Sequence, residues 1–463
     1  MNRKLLWQAF AVLILLQVLA ACRITKPYEG PKGKTEGLYR DQAETDTATL
    51  ADMPWRNMFS DTTLQALIQE GLNNNLDLKA ALTRIEVAEA NLYQSRMAFF
   101  PNVTGNGTGV TAKVPQVPSA ATGFARQQFQ LYVNASWEAD IWGRLRSTRK
   151  ANLAQVLRSE ATRRAIQTQL ISDIANSYYS LLALDAQLAI TQKNVEIWQQ
   201  NVETMQALKE AAVVTGAAVV QSEASQYAAE VTIPSLKQTV RETENALSVL
   251  LGRAPGAIKR TTLQEQQTME SLQVGVPAQL LSNRPDVQEA ELSYRSTFEL
   301  TNAARTYFYP SLTLTGNGGL SALSLGNLFS TASMFGNLAA GIAQPIFARG
   351  ANVARLRIAK ADQEQALLSF QQTLLTAGQE VSNALFAYQT ATERAMIRGR
   401  QLNALNRSVD YTKELLKYSS ANYTEVLVAQ QSLLSAELNS VSDRLQQLQS
   451  VVNLYRALGG GWQ

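Results

Sequence analysis

Apolar positions along this chain follow two different periods, and each predicts its own kind of element. From Ser147 to Thr215 there is neither glycine nor proline, and Ile166, Leu170, Ile174, Tyr178 and Leu182 recur at helical spacing. That predicts one helix over 147–215, roughly 100 Å long at about 1.5 Å per residue. A second is expected over 351–418, where only Gly378 and Gly399 intervene, each costing about 1 kcal/mol against alanine. A shorter helix follows each: 220–251, stopped at Gly252, and 423–458, stopped at Gly459-Gly460-Gly461. Pro234 falls inside the first of these and predicts a kink. Arg158, Glu160, Arg163, Arg164 and Asp173 put too much charge in the first long helix for it to cross a bilayer. Helices so much longer than a globular domain is wide imply a coiled bundle or a helical tube.

The other period is two. From Phe129 to Trp137 apolar and polar residues alternate strictly; Ser311 to Thr315 does the same, and Val103–Val110 and Phe335–Ile346 do so less cleanly. Strands are therefore expected at about 102–112, 125–138, 310–320 and 335–346, each near the length that a tilted strand needs to cross a bilayer. If they cross, Phe129, Leu131, Val133, Ala135 and Trp137 face lipid, and Gln130, Tyr132, Asn134 and Ser136 face a lumen. A half-buried soluble sheet would show the same alternation. Four strands cannot close a barrel, and an open edge in lipid leaves each backbone group unpaired at several kcal/mol. Two copies would give eight strands with a filled interior and three would give twelve with a pore; the pattern does not choose between them.

The chain also repeats itself. Asn75-Leu76-Asp77-Leu78, Ala81 and Phe99-Phe100-Pro101 are echoed 209 residues later by Arg284-Pro285-Asp286-Val287, Ala290 and Phe308-Tyr309-Pro310. Trp142-Gly143-Arg144 loosely matches Phe347-Ala348-Arg349. The halves 62–252 and 278–463 thus each read as helix, two strands, long helix and shorter helix. Ahead of them, residues 1–21 have the charged start, apolar run and small residues of an export signal. Leu19-Ala20-Ala21-Cys22 resembles the bacterial lipoprotein cleavage box, which makes Cys22 a lipidation site, and Arg23 in place of an aspartate favours the outer membrane.

Composition narrows the chemistry. Histidine is absent and Cys22 is the one cysteine, which removes the commonest general base and metal ligand and rules out an intrachain disulfide. No cofactor and no metal site are expected. Met53, Met97, Met205, Met334 and Met396 are scattered rather than paired, so no copper or silver path is suggested. Net charge is +4, and +2 without Arg3 and Lys4 of the signal, so nothing predicts a nucleic-acid partner. Gly33-Lys34-Thr35 lacks the earlier glycine of a phosphate loop, having Tyr28 there.

Several stretches resemble the TolC-like outer-membrane efflux factors, in the lipoprotein branch that serves resistance-nodulation-division pumps. They are Trp55-Arg56 with Phe59, Asp61 and Leu64; Glu138 to Arg146; Val276-Pro277 with Leu280-Leu281 and Arg284-Pro285-Asp286; and Leu454 to Trp462. The resemblance implies a mostly α protein with membrane β: a homotrimer whose twelve strands, four per chain, form an outer-membrane barrel continued by a long periplasmic α-helical barrel. Residues 22–61 and 253–277 would wrap it as an equatorial belt. The function implied is passive conduction from an inner-membrane transporter through a periplasmic adaptor, with no catalysis and with lipophilic drugs as the default cargo. The same resemblance puts adaptor contacts and a gate at two hairpin tips, Thr215-Gly216-Ala217-Ala218 and Tyr418-Ser419-Ser420-Ala421-Asn422-Tyr423. Tyr418 and Tyr423 would narrow the closed tip, with hydrogen bonds from their hydroxyls holding neighbouring hairpins together. Relatives' usual aspartate is missing before Asn422, and Glu425 is the nearest carboxylate that could replace it. Against this stand a lipid-anchored envelope scaffold or adhesin and, more remotely, a carboxylate-based hydrolase.

Overall fold

A computed structural model describes residues 24–33, 35, 37–40, 48–111, 127–267, 274–418 and 423–462. The expected lipidation site Cys22 and the tip residues Ser419, Ser420, Ala421 and Asn422 lie outside the described residues. Besides short helical turns, the elements are α1 (Thr62–Asn74), α2 (Leu76–Met97), β1 (Asn102–Thr111), β2 (Gln127–Ala139), α3 (Arg144–Glu210), α4 (Gly216–Glu230) and α5 (Thr232–Leu250). The second half follows with α6 (Pro285–Thr306), β3 (Ser311–Ala322), β4 (Met334–Ala343), α7 (Ala351–Lys417) and α8 (Tyr423–Ala457). Among the described residues no helix is long and apolar enough to cross a membrane. The chain divides into two compact units.

The first unit draws on residues up to Lys32, Arg84–Ser159 and Glu289–Phe370. Its sheet has the order β1-β2-β3-β4, antiparallel throughout, with Asn102 opposite Ser136, Val133 opposite Gly318 and Leu314 opposite Ala340. The starts of β1 and β3 and the ends of β2 and β4 lie together in this register, so all four helix junctions gather at one end of the sheet. β4 ends at Ala343, short of the expected 346. Pro345 follows, and its ring leaves no N–H for a ladder. Glu138 to Arg146 forms the strand-to-helix corner. Gly143 turns the chain at φ +84°. Asp140 accepts from Leu145 N–H (2.9 Å) and Arg146 N–H (3.0 Å), capping α3, and Glu138 holds the Arg144 guanidinium at 3.0 and 2.5 Å.

The second unit comprises Gly33–Thr83, Glu160–Gln288 and Gln371–Gln463. Its core is formed by side chains such as Leu64, Ile68, Ile171, Ile174, Leu247 and Leu251, all fully buried, each contributing about 1.5–3 kcal/mol of transfer free energy. The repeat reappears here as two equivalent helix stops. Gly252, at φ +68°, ends α5, with Asn75 Nδ2 donating to Leu250 O (2.9 Å). Gly459, at φ +91°, ends α8, with the Arg284 guanidinium donating to Ala457 O (2.8 Å). At either glycine a Cβ would run into the backbone carbonyl of Asn74 or Asn283.

Asp61, the cap of α1, joins the two segments expected to form the belt. Tyr178 (2.7 Å), Thr261 (2.6 Å) and Gln266 (2.9 Å) all donate to its Oδ2, and Thr49 bridges to Val274. Burial by itself would raise the Asp61 carboxyl. The hydrogen bonds from Thr261, Tyr178, Gln266 and Thr63 N–H outweigh it and hold the group below the usual carboxylate range. Burial pushes the Tyr178 phenol up to about 12.

The helix boundaries differ from expectation where the sequence carries no stop signal. The turn expected at 215–218 lies at 211–215, and Gly216 opens α4 instead. Ala212 takes the left-handed conformation (φ 56°) and Val213 N–H reaches back to Leu208 O (2.9 Å). A glycine would normally mark such a stop; alanine holds it here at about 1 kcal/mol of strain. Pro234 interrupts the helix expected over 220–251: α4 and α5 meet at Val231, which keeps a helical conformation (φ −63°, ψ −20°), and the N–H that Pro234 lacks is the one that would have bonded the turn before it.

Candidate functional site

Two features fit a conduit: the two-faced sheet of the first unit and the hairpin ends of the second. The registers place Phe129, Leu131, Val133, Ala135 and Trp137 on one face of the sheet with Val103, Leu312, Leu314, Leu338 and Ile342. Small residues, among them Gly105, Gly107, Gly109, Gly316 and Gly318, fill most of the remaining positions there. The opposite face carries Thr104, Asn106, Thr108, Gln130, Tyr132, Asn134, Ser136, Thr313, Thr315, Asn317 and Asn337. Leu338 and Ile342 are about three-quarters exposed, and Leu131 and Val133 about half. A soluble half-buried sheet would cover its apolar face; here the chain leaves it open, as a lipid-facing surface requires. At the helix end, Trp137 Nε1 donates to Phe99 O (2.8 Å) and Trp142 Nε1 to Pro310 O (2.6 Å), with the Trp142 and Tyr309 rings 5.3 Å apart. Such rings, apolar in body and polar at one edge, suit a membrane–water boundary.

In the second unit the two hairpins are packed together. Trp198 and Met205 of α3, Val219 and Ala229 of α4, and Tyr423, Val426 and Leu427 of α8 form one buried cluster. Tyr423, Val426 and Leu427 lie at i, i+3 and i+4, so they share one helix face. The Tyr423 hydroxyl is hydrogen-bonded to Ser222 Oγ at 3.0 Å, and Ser222 in turn bonds Ala218 O (3.0 Å). Burial raises the Tyr423 phenol, with the Ser222 bond acting against it, so it stays protonated.

The expected tip residues separate on this geometry. Tyr423, expected to narrow the tip and to bond a neighbouring hairpin through its hydroxyl, is turned inward, because the apolar stripe of α8 begins with it, and its hydroxyl does tie the second hairpin to the first. Tyr418 is exposed, as are Thr215, Gly216, Ala217 and Glu425, while Ala218 packs against the cluster. Glu425 lies in the first turn of α8, where a carboxylate is favoured by the helix dipole. Sequence reasoning missed Trp198, Met205 and Ser222. The seven-residue spacing of the first two was a usable signal, whereas Ser222 gave none.

The model of the family described as outer membrane efflux protein matches residues 67–253 and 276–460. This chain belongs to that family. The antibiotic efflux pump outer membrane protein ArpC of Pseudomonas putida is 30% identical over 460 residues, covering 96% of this chain and 94% of the relative. The cation efflux system protein CusC of Escherichia coli is 30% identical over 415 residues, 88% of each. Among solved structures, the open state of the Neisseria gonorrhoeae MtrE outer membrane channel superposes with a TM-score of 0.85 at 26% identity, covering 96% of this chain and 99% of that one. A CusC crystal structure gives 0.85 at 27%, covering 95% and 100%. The chain is therefore an outer-membrane efflux channel of TolC-like fold, four strands of a shared barrel plus helices of a periplasmic tunnel. Channels of this family are trimeric and work in tripartite pumps with a periplasmic adaptor and an inner-membrane transporter, and the chain is the outer-membrane member of such a pump. The family and these relatives are channels, which removes the scaffold and adhesin readings.

Proposed function

We propose that this channel conducts lipophilic small molecules passively, with no catalytic step of its own. The observation that carries the reading is the sheet: an apolar face left open and a polar face of Asn, Gln, Ser and Thr, which is how a water-filled duct in lipid is built. Relatives named for antibiotic and toluene efflux support the cargo class. A second reading, cation export, is favoured by the CusC likeness alone. The two separate in a Gram-negative strain stripped of its own efflux channels, given this chain with its pump and adaptor. Restored tolerance to lipophilic antibiotics is expected; tolerance restored to copper or silver only would overturn the first reading.

We further propose that Cys22 is acylated and tethers the chain to the outer membrane. Mass spectrometry of the mature N-terminus should find the diacylglyceryl thioether on Cys22, and an unmodified thiol would refute it. The gate is proposed at the hairpin tips. Tyr423 and Ser222 hold the closed arrangement, the exposed Tyr418 and Glu425 stand near the opening, and Ser419, Ser420, Ala421 and Asn422 link them. Thr215, Gly216, Ala217 and Ala218 offer the adaptor the neighbouring hairpin.

A further inference from the structure

The polar face of the sheet is interrupted at one level by two rings. Tyr132 of β2, Gly319 of β3 and Phe335 of β4 lie side by side in the register, and Asn106 of β1 completes the row. The Tyr132 and Phe335 rings stand 6.3 Å apart across Gly319, tilted by 54°. The row needs that glycine, because a Cβ at 319 would strike Cα and Cβ of Tyr132 and the carbonyl of Leu131. Among the described residues of the four strands no other aromatic side chain lies on this face. The next row toward the helix junctions carries Asn134, Asn317 and Asn337, and the next row away from them Thr108, Gln130 and Ser321.

We propose that Tyr132 and Phe335 form a contact site for flat, aromatic lipophilic molecules in transit, set in the wall of the duct. The proposal rests on the lipophilic-cargo reading above and names the residues that such a cargo touches. Burial does not account for the rings, since the apolar face is the opposite one and Phe335 is still 37% exposed. Tyr132 covers Gly319, but the atoms nearest to that glycine belong to Tyr132 and Leu131, so Phe335 has no such task. Ring faces attract other flat π systems by stacking, whereas the amide and hydroxyl rows on either side hold water.

Because the channel is trimeric, symmetry sets three ring pairs at one height. Twelve strands about 4.8 Å apart and tilted by about 40° close at roughly 24 Å across, so rings on opposite walls do not meet. The layer lines the passage without sealing it. That suits conduction, in which a molecule must be held well enough to enter and loosely enough to leave.

The test is block of single-channel current in planar bilayers by ethidium, a flat aromatic cation. It is added on the side of the barrel's outer mouth, from which it reaches the rings without passing the hairpin tips. Tyr132→Leu with Phe335→Leu removes both rings and keeps apolar bulk, Phe335→Leu alone leaves Tyr132 over Gly319, and Tyr132→Phe keeps both rings. Each block by ethidium should be about tenfold shorter in the double variant than in wild type, because the lifetime of a bound state follows its contacts. Phe335→Leu should fall between them, and Tyr132→Phe should match wild type. Block by spermidine, a cation with no ring, should last equally long in all four proteins. If the double variant forms no trimer, Phe335→Leu decides alone. Absence of ethidium block in wild type, equal block in wild type and Phe335→Leu, or an equal shortening for spermidine would overturn the site. The tolerance assay judges the cargo reading separately: restored antibiotic tolerance with ring-independent block overturns the site alone, and ring-dependent block without restored tolerance overturns the cargo reading alone.

Discussion

Arg284→Ala is expected to destabilise the second unit by about 3–5 kcal/mol, the range for stripping one partner from a buried ion pair. The Arg284 side chain is 6% exposed and makes four polar contacts: Asp286 at 2.9 and 2.5 Å, Glu380 at 2.8 Å and Ala457 O at 2.8 Å. Its removal leaves two carboxylates and a helix-end carbonyl facing each other without a donor fork. Asp286 and Glu380 keep about a third of their surface in water, which places the cost toward the lower end. The same guanidinium joins the Arg-Pro-Asp motif to the C-terminal end of α8, so the loss should free the chain terminus as well. A lower denaturation midpoint in detergent, with early proteolysis after Ala457, is the expected reading. An unchanged midpoint would make the cluster decorative.

Tyr423→Ala should have the largest effect on the tip. It empties a buried aromatic site, 6% exposed, at about 3–5 kcal/mol by analogy with other aromatic truncations. The cluster it vacates is what binds the two hairpins of one chain, so the tip should relax and single-channel conductance should rise. Tyr423→Phe keeps the packing and loses only the bond to Ser222, about 0.5–1.5 kcal/mol, so its conductance should lie between that of wild type and Tyr423→Ala. Ser222→Ala should resemble Tyr423→Phe, since it removes the other half of the same bond. Equal conductance in all four proteins would take Tyr423 out of the gate and leave it a packing residue.

Much of the fold could be read from particular residues. Strict alternation from Phe129 to Trp137 fixes which side chains share a face, because a register shift of one would bury every polar group in lipid. Gly252 and Gly459 marked two helix stops, and the structure closes them with Asn75 and Arg284, the side chains whose echo had revealed the repeat. Other features had no local signal. Ala212 ends α3 in a conformation that no alanine advertises, and the inward turn of Tyr423 depends on Trp198 and Met205, more than 200 residues earlier. Cys22 is named by its flanking residues alone, and nothing in the described residues bears on it.

If the polar face of the sheet lines a water-filled pore, single-channel recording in planar bilayers will report it. Asn134→Cys and Val133→Cys channels are each exposed to a bulky, membrane-impermeant thiol reagent. Asn134→Cys should show discrete openings whose conductance falls on labelling, while Val133→Cys should conduct like wild type before and after. Absence of discrete openings, or a fall confined to Val133→Cys, would contradict it.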